Sequence, residues 1–351
     1  MDVKLKCNSA GGGDYPYKIA VFGMHNAIGD NVLVLKALYA IKYLYPHAIL
    51  TILSNGGVAK SLFKYMPFID EIINIQENQD YKNHRFDIVL LFIKHDSLEY
   101  IQKAKTIQSK RVLTTFSKAL LQKGILFIPK VERIWNPYWK QRHRVSDGSL
   151  NLVRSINKKH FDDRISKIDF TKAEILRGDE NRLFVESALK KLEYTKYQKL
   201  IGICPIGNSV KIKKMNFSLK SWIKIAEELA REFPQNLFIF MDYLGSGAQF
   251  LEFEQKNIGV FTNNKDLLNL VELTSRLHCL LSVNTGNVHI ADNLRIPTLE
   301  IISKSHQNKW IGGSYGGICE CIYLPKNWQQ REEFYQKSFI CLARKMIKCK
   351  I

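Results

Sequence analysis

The feature that most constrains the fold is an alternation of short apolar runs with helical stretches, which occurs twice along the chain. "KIAVFG" (18–23), "AILTILS" (48–54), "EIINI" (71–75) and "FDIVLLF" (86–92) read as strands of a first set. Between them lie helical stretches from about Asn31 to Leu44 and over "GVAKSLFKYM". The pattern restarts at "QKLIGICPIG" (198–207). It continues with a helix over 218–232, "NLFIFMD" (236–242), a helix around 247–256, "IGVFT", a helix over 265–277, "CLLSVN" and "PTLEIIS". Strands this short, set singly between helices, point to parallel βαβ units in open doubly wound sheets.

Two such sets imply two domains. The 351 residues exceed one ordinary core and suit two of roughly 150 residues each. The expected layout is a flexible tail over 1–17, an N-terminal domain over 18–170 and a C-terminal domain over 171–325. An amphipathic helix within 326–351 is expected to pack back on the N-terminal domain. In doubly wound sheets ligands sit beyond the carboxyl ends of the strands, so the loops there, facing a central cleft, are where chemistry is expected.

Composition limits the function classes. Hydrophobic residues make up 46% and charged residues 24%, as in a globular protein. No run approaches the ~18 apolar residues of a membrane span, and the first residues lack a signal-peptide apolar core, so a cytoplasmic location is expected. The seven cysteines are scattered, with Cys319 and Cys321 the one close pair. With no CxxC spacing, no metal site is expected. The net charge of +19 is uneven: between Lys103 and Lys172 seventeen Lys or Arg face five acids, which supplies +12 of it. Such a field attracts phosphates, on a small molecule, a nucleic acid or an anionic membrane.

Three strand-end loops carry candidate residues. In "GMHNAIGDNVLVLKAL" (23–38), Gly29 permits a tight turn and Asp30 sits where a helix begins. Spacing alone favours Asp30 as the N-cap; a general base is the other reading. In "CPIGNSVKIKKMNFSLKSW" (204–222), Asn208 and Ser209 precede Lys211, Lys213 and Lys214, a composition suited to a diphosphate or to a plain solvated loop. In "LLSVNTGNVHIADNLRIPTLEII" (280–302) a strand halts at Asn284-Thr285-Gly286 and a helix follows. That helix start offers N–H groups and a positive dipole end to an anion. His289, in its first turn, reads equally as a phosphate donor or as a structural histidine.

Together these loops resemble the heptosyltransferase family, glycosyltransferase family 9. The N-terminal match runs through "HNAIGDNVLVLKALYAIKYLYPHAILTILSNGGVAKSLFKYMPFIDEIINI", with its Gly-Asp loop, its "YP" before the second strand and its "PFIDEI" segment. The C-terminal match is "SVNTGNVHIADNLRIPTLEII", close to that family's D-T-G-x-x-H-x-A signature. The resemblance spans roughly residues 18 to 303. It implies a GT-B architecture and an inverting transfer without a metal or other cofactor, in which heptose passes from ADP-heptose to the inner core of lipopolysaccharide.

By that resemblance Asp30 is the catalytic base. Asn208, Ser209, Lys214, Asn284, Thr285, Gly286 and His289 bind the donor; Lys214 is preferred among the lysines because it lies nearest the helix start at Phe217-Ser218. His25, Asn26, Lys140, Arg142 and Arg144 face the phosphorylated lipid A–Kdo acceptor, and the basic segment rests on the inner face of the inner membrane. Two departures stand out. Asn284 replaces the family's Asp, which opens the identity of the donor sugar, and His25-Asn26 replaces the usual Arg or Ser. Two other classes compete: a nucleic-acid binder stacking bases on Trp135, Tyr138 and Trp139, for which no motif is present, and a non-catalytic nucleotide-sugar-binding protein.

Overall fold

The computed structural model describes residues 16–24, 26–78, 80–92, 103, 106–114, 131–133, 144–207, 215–250, 253–306 and 310–349. They form two six-stranded sheets in which every pairing is parallel. The first holds β1 (Lys18–Met24), β2 (Ile49–Ser54), β3 (Glu71–Asn74), β4 (Arg85–Leu91), β5 (Gln108–Thr114) and β6 (Val131–Arg133), in the order β3-β2-β1-β4-β5-β6. The second holds β7 (Lys199–Cys204), β8 (Asn236–Tyr243), β9 (Ile258–Asn263), β10 (Cys279–Val283), β11 (Thr298–Ser303) and β12 (Cys319–Leu324), in the order β12-β11-β10-β7-β8-β9. Counted from its own first strand, each sheet has the same winding. The switch points therefore fall between β1 and β4, and between β7 and β10.

The central strands are apolar throughout because helices cover both faces. Ile19, Ala20, Val21 and Phe22 of β1 are fully buried, as are Leu280, Leu281 and Val283 of β10. Strand β5, "QSKRVLT", was not expected from its pattern. Its first half is charged and only its last three residues are buried. Strand β12, "CECIYL", lies at a sheet edge, so its residues alternate in exposure instead of forming an apolar run.

Helix α1 (Ile28–Leu44) buries residues around its whole circumference. Such a helix must be covered on all sides. One side lies on the first sheet; others meet α3 (Val145–Arg154) and α8 (Gly286–Asn293) of the second domain. The short helices α2 (Val58–Leu62) and α4 (Lys158–Asp162) complete this domain. The apolar core runs unbroken from Ile19 and Leu35 through Ile290 and Ala291 to Leu270 and Leu280. The two domains thus share a core.

In the second domain α5 (Asp179–Lys191), α6 (Leu219–Glu232) and α7 (Leu268–Ser275) flank the sheet. Two sequence expectations fail here. No helix occurs among the described residues between Leu244 and Asn257. Gly245 and Gly247 take φ of +84° and +72°, left-handed conformations that break a helix. The helix-like spacing came from Phe250 and Phe253, which anchor a loop on Phe240 with ring centroids 5.0 and 5.5 Å away.

The C-terminal helix α9 (Glu332–Lys348) packs on the C-terminal domain, not back on the N-terminal one. Phe339 stands edge-on to Trp222 of α6 at 5.1 Å, and Arg344 pairs with Glu228 and Glu232 of the same helix. Lys199 of β7 donates to the Ile347 carbonyl at 2.7 Å. An amphipathic pattern states that one face is buried; it does not name the surface that buries it.

Candidate active site

Both switch points open toward the junction of the domains. At the first, β1 hands over to α1. The N-cap of α1 is Ala27, in extended backbone and without a side-chain cap. Asp30 is therefore not the cap that its spacing favoured: it lies half-buried in the first turn. A carboxylate there meets the positive end of the helix dipole, which stabilises it without occupying it as a cap. Asn31 takes the local backbone role, donating to the Ala27 carbonyl at 2.7 Å.

At the second, β10 hands over to α8. Thr285 is the N-cap, its hydroxyl accepting from the Asn287 N–H at 3.2 Å. Gly286 and His289 follow in the first turn. The end of β7 is tied to this turn through Cys204, whose sulfur receives the Asn287 side-chain amide at 3.0 Å. Burial pushes the Cys204 thiol above its ordinary range, so it acts as a small packing group and not as a nucleophile.

The two helix starts lie against each other, with a glycine on each side. A Cβ on Gly29 would stand 2.6 Å from the His289 ring, and one on Gly286 would stand 2.7 Å from Cβ of Ile28. Neither fits without displacement. His289 is 4% exposed and presents its Cδ2–Nε2 edge to the turn that carries Asp30. Two positive dipole ends facing each other repel. The Asp30 carboxylate relieves that repulsion, and so does an anion held at the α8 start.

Behind the junction, a segment after β11 reaches back onto α1. Tyr315 donates from its hydroxyl to the Val32 carbonyl at 2.6 Å. Lys36 donates to the Ser314 carbonyl and lies over the Phe170 and Tyr315 rings at 5.0 and 5.2 Å. Arg144 donates to the Gly313 carbonyl. Asp292 of α8 holds this segment from within, accepting from the Ser314 and Tyr315 N–H groups at 2.7 and 3.1 Å. Burial lowers the affinity of the Lys36 ammonium for its proton and raises that of the Asp292 carboxyl; facing carboxylates offset part of the first shift and backbone N–H donors part of the second.

Asn284 follows β10 with its side-chain N–H donors engaged. It donates to Glu300 Oε2 at 2.7 Å and to the Trp310 carbonyl at 2.9 Å. Glu300 is completely buried, which raises its carboxyl above the ordinary value. A carboxylate at position 284 would face Glu300 directly; an amide faces it with a donor.

Of the residues expected from sequence, Asp30, Asn284, Thr285, Gly286 and His289 converge on this junction. Asn26 instead ties the β1–α1 loop to the start of α2, accepting from the Val58 N–H at 3.0 Å. Arg144 donates to the Gly313 carbonyl of the facing domain. His25, Asn208, Ser209, Lys211, Lys213, Lys214, Lys140 and Arg142 lie outside the described residues, as do Trp135, Tyr138 and Trp139. Sequence reasoning missed Lys36, Asp292, Glu300 and Tyr315. A charged residue inside an apolar helix, as Lys36 is, was the available signal. No helix among the described residues is long and apolar enough to cross a membrane.

No protein-family model matches the chain, and no curated protein matches it in sequence. Solved structures do match. A glycosyl transferase family 9 protein from Veillonella parvula aligns over 96% of this chain and 99% of its own, with a TM-score of 0.73 at 17% identity. The E. coli ADP-heptose lipopolysaccharide heptosyltransferase II aligns over 93% and 99%, with a TM-score of 0.64 at 13% identity. The E. coli heptosyltransferase WaaC with ADP aligns over 91% and 99%, with a TM-score of 0.58 at 12% identity. What these proteins share with this chain over nearly its whole length is the α/β fold of two facing doubly wound domains, the GT-B fold of glycosyltransferases.

Proposed function

We propose that the chain is a glycosyltransferase that moves a sugar from a nucleotide diphosphate donor to an acceptor hydroxyl at the domain junction. The observation that carries this reading is the meeting of the two helix starts, with the Asp30 turn set against Gly286 and His289. Asp30 takes the proton of the acceptor hydroxyl. The helix start at Thr285-Gly286, with His289 and a lysine of the 211–214 loop, holds the diphosphate and stabilises its charge as the glycosidic bond breaks. Attack from the Asp30 side opposite the leaving diphosphate inverts the anomeric carbon. The charge to be neutralised is met by N–H groups and side-chain cations, so the transfer step calls for no metal ion.

The donor that best fits the resemblance is ADP-heptose, and the acceptor a phosphorylated lipopolysaccharide inner core. The basic segment 103–172 would hold that acceptor, and the enzyme, at the anionic inner leaflet. Asn284 favours a second reading with a different nucleotide sugar. Its amide protons are spent on Glu300 and Trp310, so only its carbonyl oxygen remains to receive a sugar hydroxyl.

Calorimetric titration with ADP, UDP, GDP and CMP, with and without magnesium, tests the proposal. Selective ADP binding indifferent to magnesium supports the heptosyltransferase reading. Selective binding of another nucleotide moves the donor to a different sugar. Failure of all four to bind overturns the transferase reading.

A further inference from the structure

Strands β11 and β12 pair in parallel with Thr298 opposite Cys319 and Glu300 opposite Cys321. This register gathers three ligand-type side chains on one face of the sheet. The Cys319 and Cys321 sulfurs lie 3.4 and 3.5 Å from the same oxygen, Oε1 of Glu300. The three ligand atoms all lie within 4.8 Å of one another. We propose that Glu300, Cys319 and Cys321 bind a thiophilic divalent cation, zinc, that fastens the loop after β11 to the second sheet.

The two sulfur-to-oxygen edges fit a tetrahedral corner. With Zn–S near ~2.3 Å and Zn–O near ~2.1 Å, the sulfur-to-oxygen edge of a tetrahedral zinc site is about 3.5 Å. Both observed edges have this length. Three protein ligands leave a fourth position for a solvent molecule. The supporting contacts needed to orient the carboxylate are already made: Gly312 N–H donates to Oε1 at 3.1 Å, and the Asn284 amide donates to Oε2 at 2.7 Å. The backbone of the loop passes directly over one thiol. A Cβ on Gly312 would stand 2.9 Å from the Cys319 sulfur.

Access is also provided. Glu300 is fully buried, whereas Cys319 and Cys321 are half-buried on an edge strand, so an ion reaches the carboxylate past the thiols. Bound there, the cation joins β11, β12 and the Gly312 turn, and through Asn284 it also steadies the end of β10. It lies behind the donor-side loop and takes no part in the transfer chemistry. An isolated pair of cysteines two apart on a strand would not carry this reading. The buried carboxylate brought between them by the strand pairing does.

The test uses the full chain purified under reducing conditions. Its zinc is measured by elemental mass spectrometry. The zinc-freed protein is then titrated with cobalt while the thiolate-to-cobalt charge-transfer absorption is followed. The proposal expects about one zinc per chain, a thiolate band saturating at one cobalt, and protection of Cys319 and Cys321 from alkylation when zinc is present. It expects loss of the bound zinc and of the cobalt thiolate band in Cys319→Ser/Cys321→Ser. The protection experiment needs no variant, so misfolding of the double variant leaves the question decidable. Metal-free protein that shows no thiolate band, with both cysteines alkylated equally with and without zinc, overturns the proposal. So does zinc retained undiminished by a folded double variant.

Discussion

In the first domain the switch-point strand β1 passes into a helix whose first turn carries a carboxylate. In the second, β10 passes into a helix whose first turn carries a hydroxyl cap, a glycine and a histidine. The sheets behind them are wound alike, so the difference is not one of architecture. It lies in what each helix start does with its positive end. The α1 start carries its own negative charge, Asp30. The α8 start carries none; its cap is the Thr285 hydroxyl, which accepts from the Asn287 N–H. One topology used twice thus presents a carboxylate at one helix start and a hydroxyl cap, a glycine and a histidine at the other.

The strongest way to break this comparison is to remove the carboxylate. Asp30→Asn should lower turnover about 10²–10⁴-fold while nucleotide diphosphate binding persists, read by initial rates beside calorimetry. Full turnover in that variant would sink the assignment of Asp30 as base. Next in size is Gly286→Val, which sets a branched side chain against Ile28. Overpacking of this kind costs about 1–3 kcal/mol, so the denaturant midpoint should fall and nucleotide binding weaken together.

Asn284→Asp sharpens the contrast at the donor side by turning a donor into an acceptor facing Glu300 and the Trp310 carbonyl. The expected loss is about 1–3 kcal/mol in chemical unfolding, since buried acceptors are left unmatched. A variant as stable as the parent would show that the Asn284–Glu300 contact is not what selects an amide here.

Asp292 offers a pH test. Burial raises its folded-state affinity for a proton, so between the ordinary Asp value near ~3.9 and the raised one the folded chain binds more protons than the unfolded one. Stability contributed by Asp292 is complete below that window and declines as pH rises through it. Asp292→Asn should remove this slope, whatever it does to the absolute level.

The smallest effect is expected at Glu180, which pairs with Lys64 at 2.8 Å and also accepts from Tyr65. Its pKa is lowered to about 2, first by the Lys64 hydrogen bond. The sign is opposite to that of Asp292: the contribution is present above the ordinary Glu value and is lost as pH falls toward about 2. Because the pair is solvent-exposed, Glu180→Gln should flatten only a shallow acid limb in thermal unfolding.

The fold was legible where burial is symmetric. Strands β1, β2, β4, β7, β8, β10 and β11 are covered on both faces, so their apolar runs stand out in any window. Strands β5, β6 and β12 escaped notice: β5 has a charged first half, β6 is only three residues long, and β12 alternates in exposure. The false helix near Phe250 and Phe253 arose because two anchors three residues apart mimic one helical face. At the site, Asp30 and Thr285-Gly286 were legible as strand-end turns. Spacing alone pointed to Asp30 as the N-cap and failed there, because capping depends on where the helix starts, and Ala27 starts it.

What the sequence by itself determined is therefore local: the alternation that demands two parallel sheets, the turns at their strand ends, and the residue types those turns present. These follow from short-range periodicity and backbone preference, which act within a few residues. What only the tertiary structure decided is which turns meet. Lys36 and Ser314 are 278 positions apart and Tyr315 and Val32 are 283 apart, yet they bind the domains together. Glu300 reaches Cys319 and Cys321 only because β11 and β12 pair in one register, and α9 settles on α6 only because that helix leaves an aromatic surface to cover. No local pattern encodes such partners, because burial rewards apolar area without specifying its neighbour, and the choice is made only when whole elements pack.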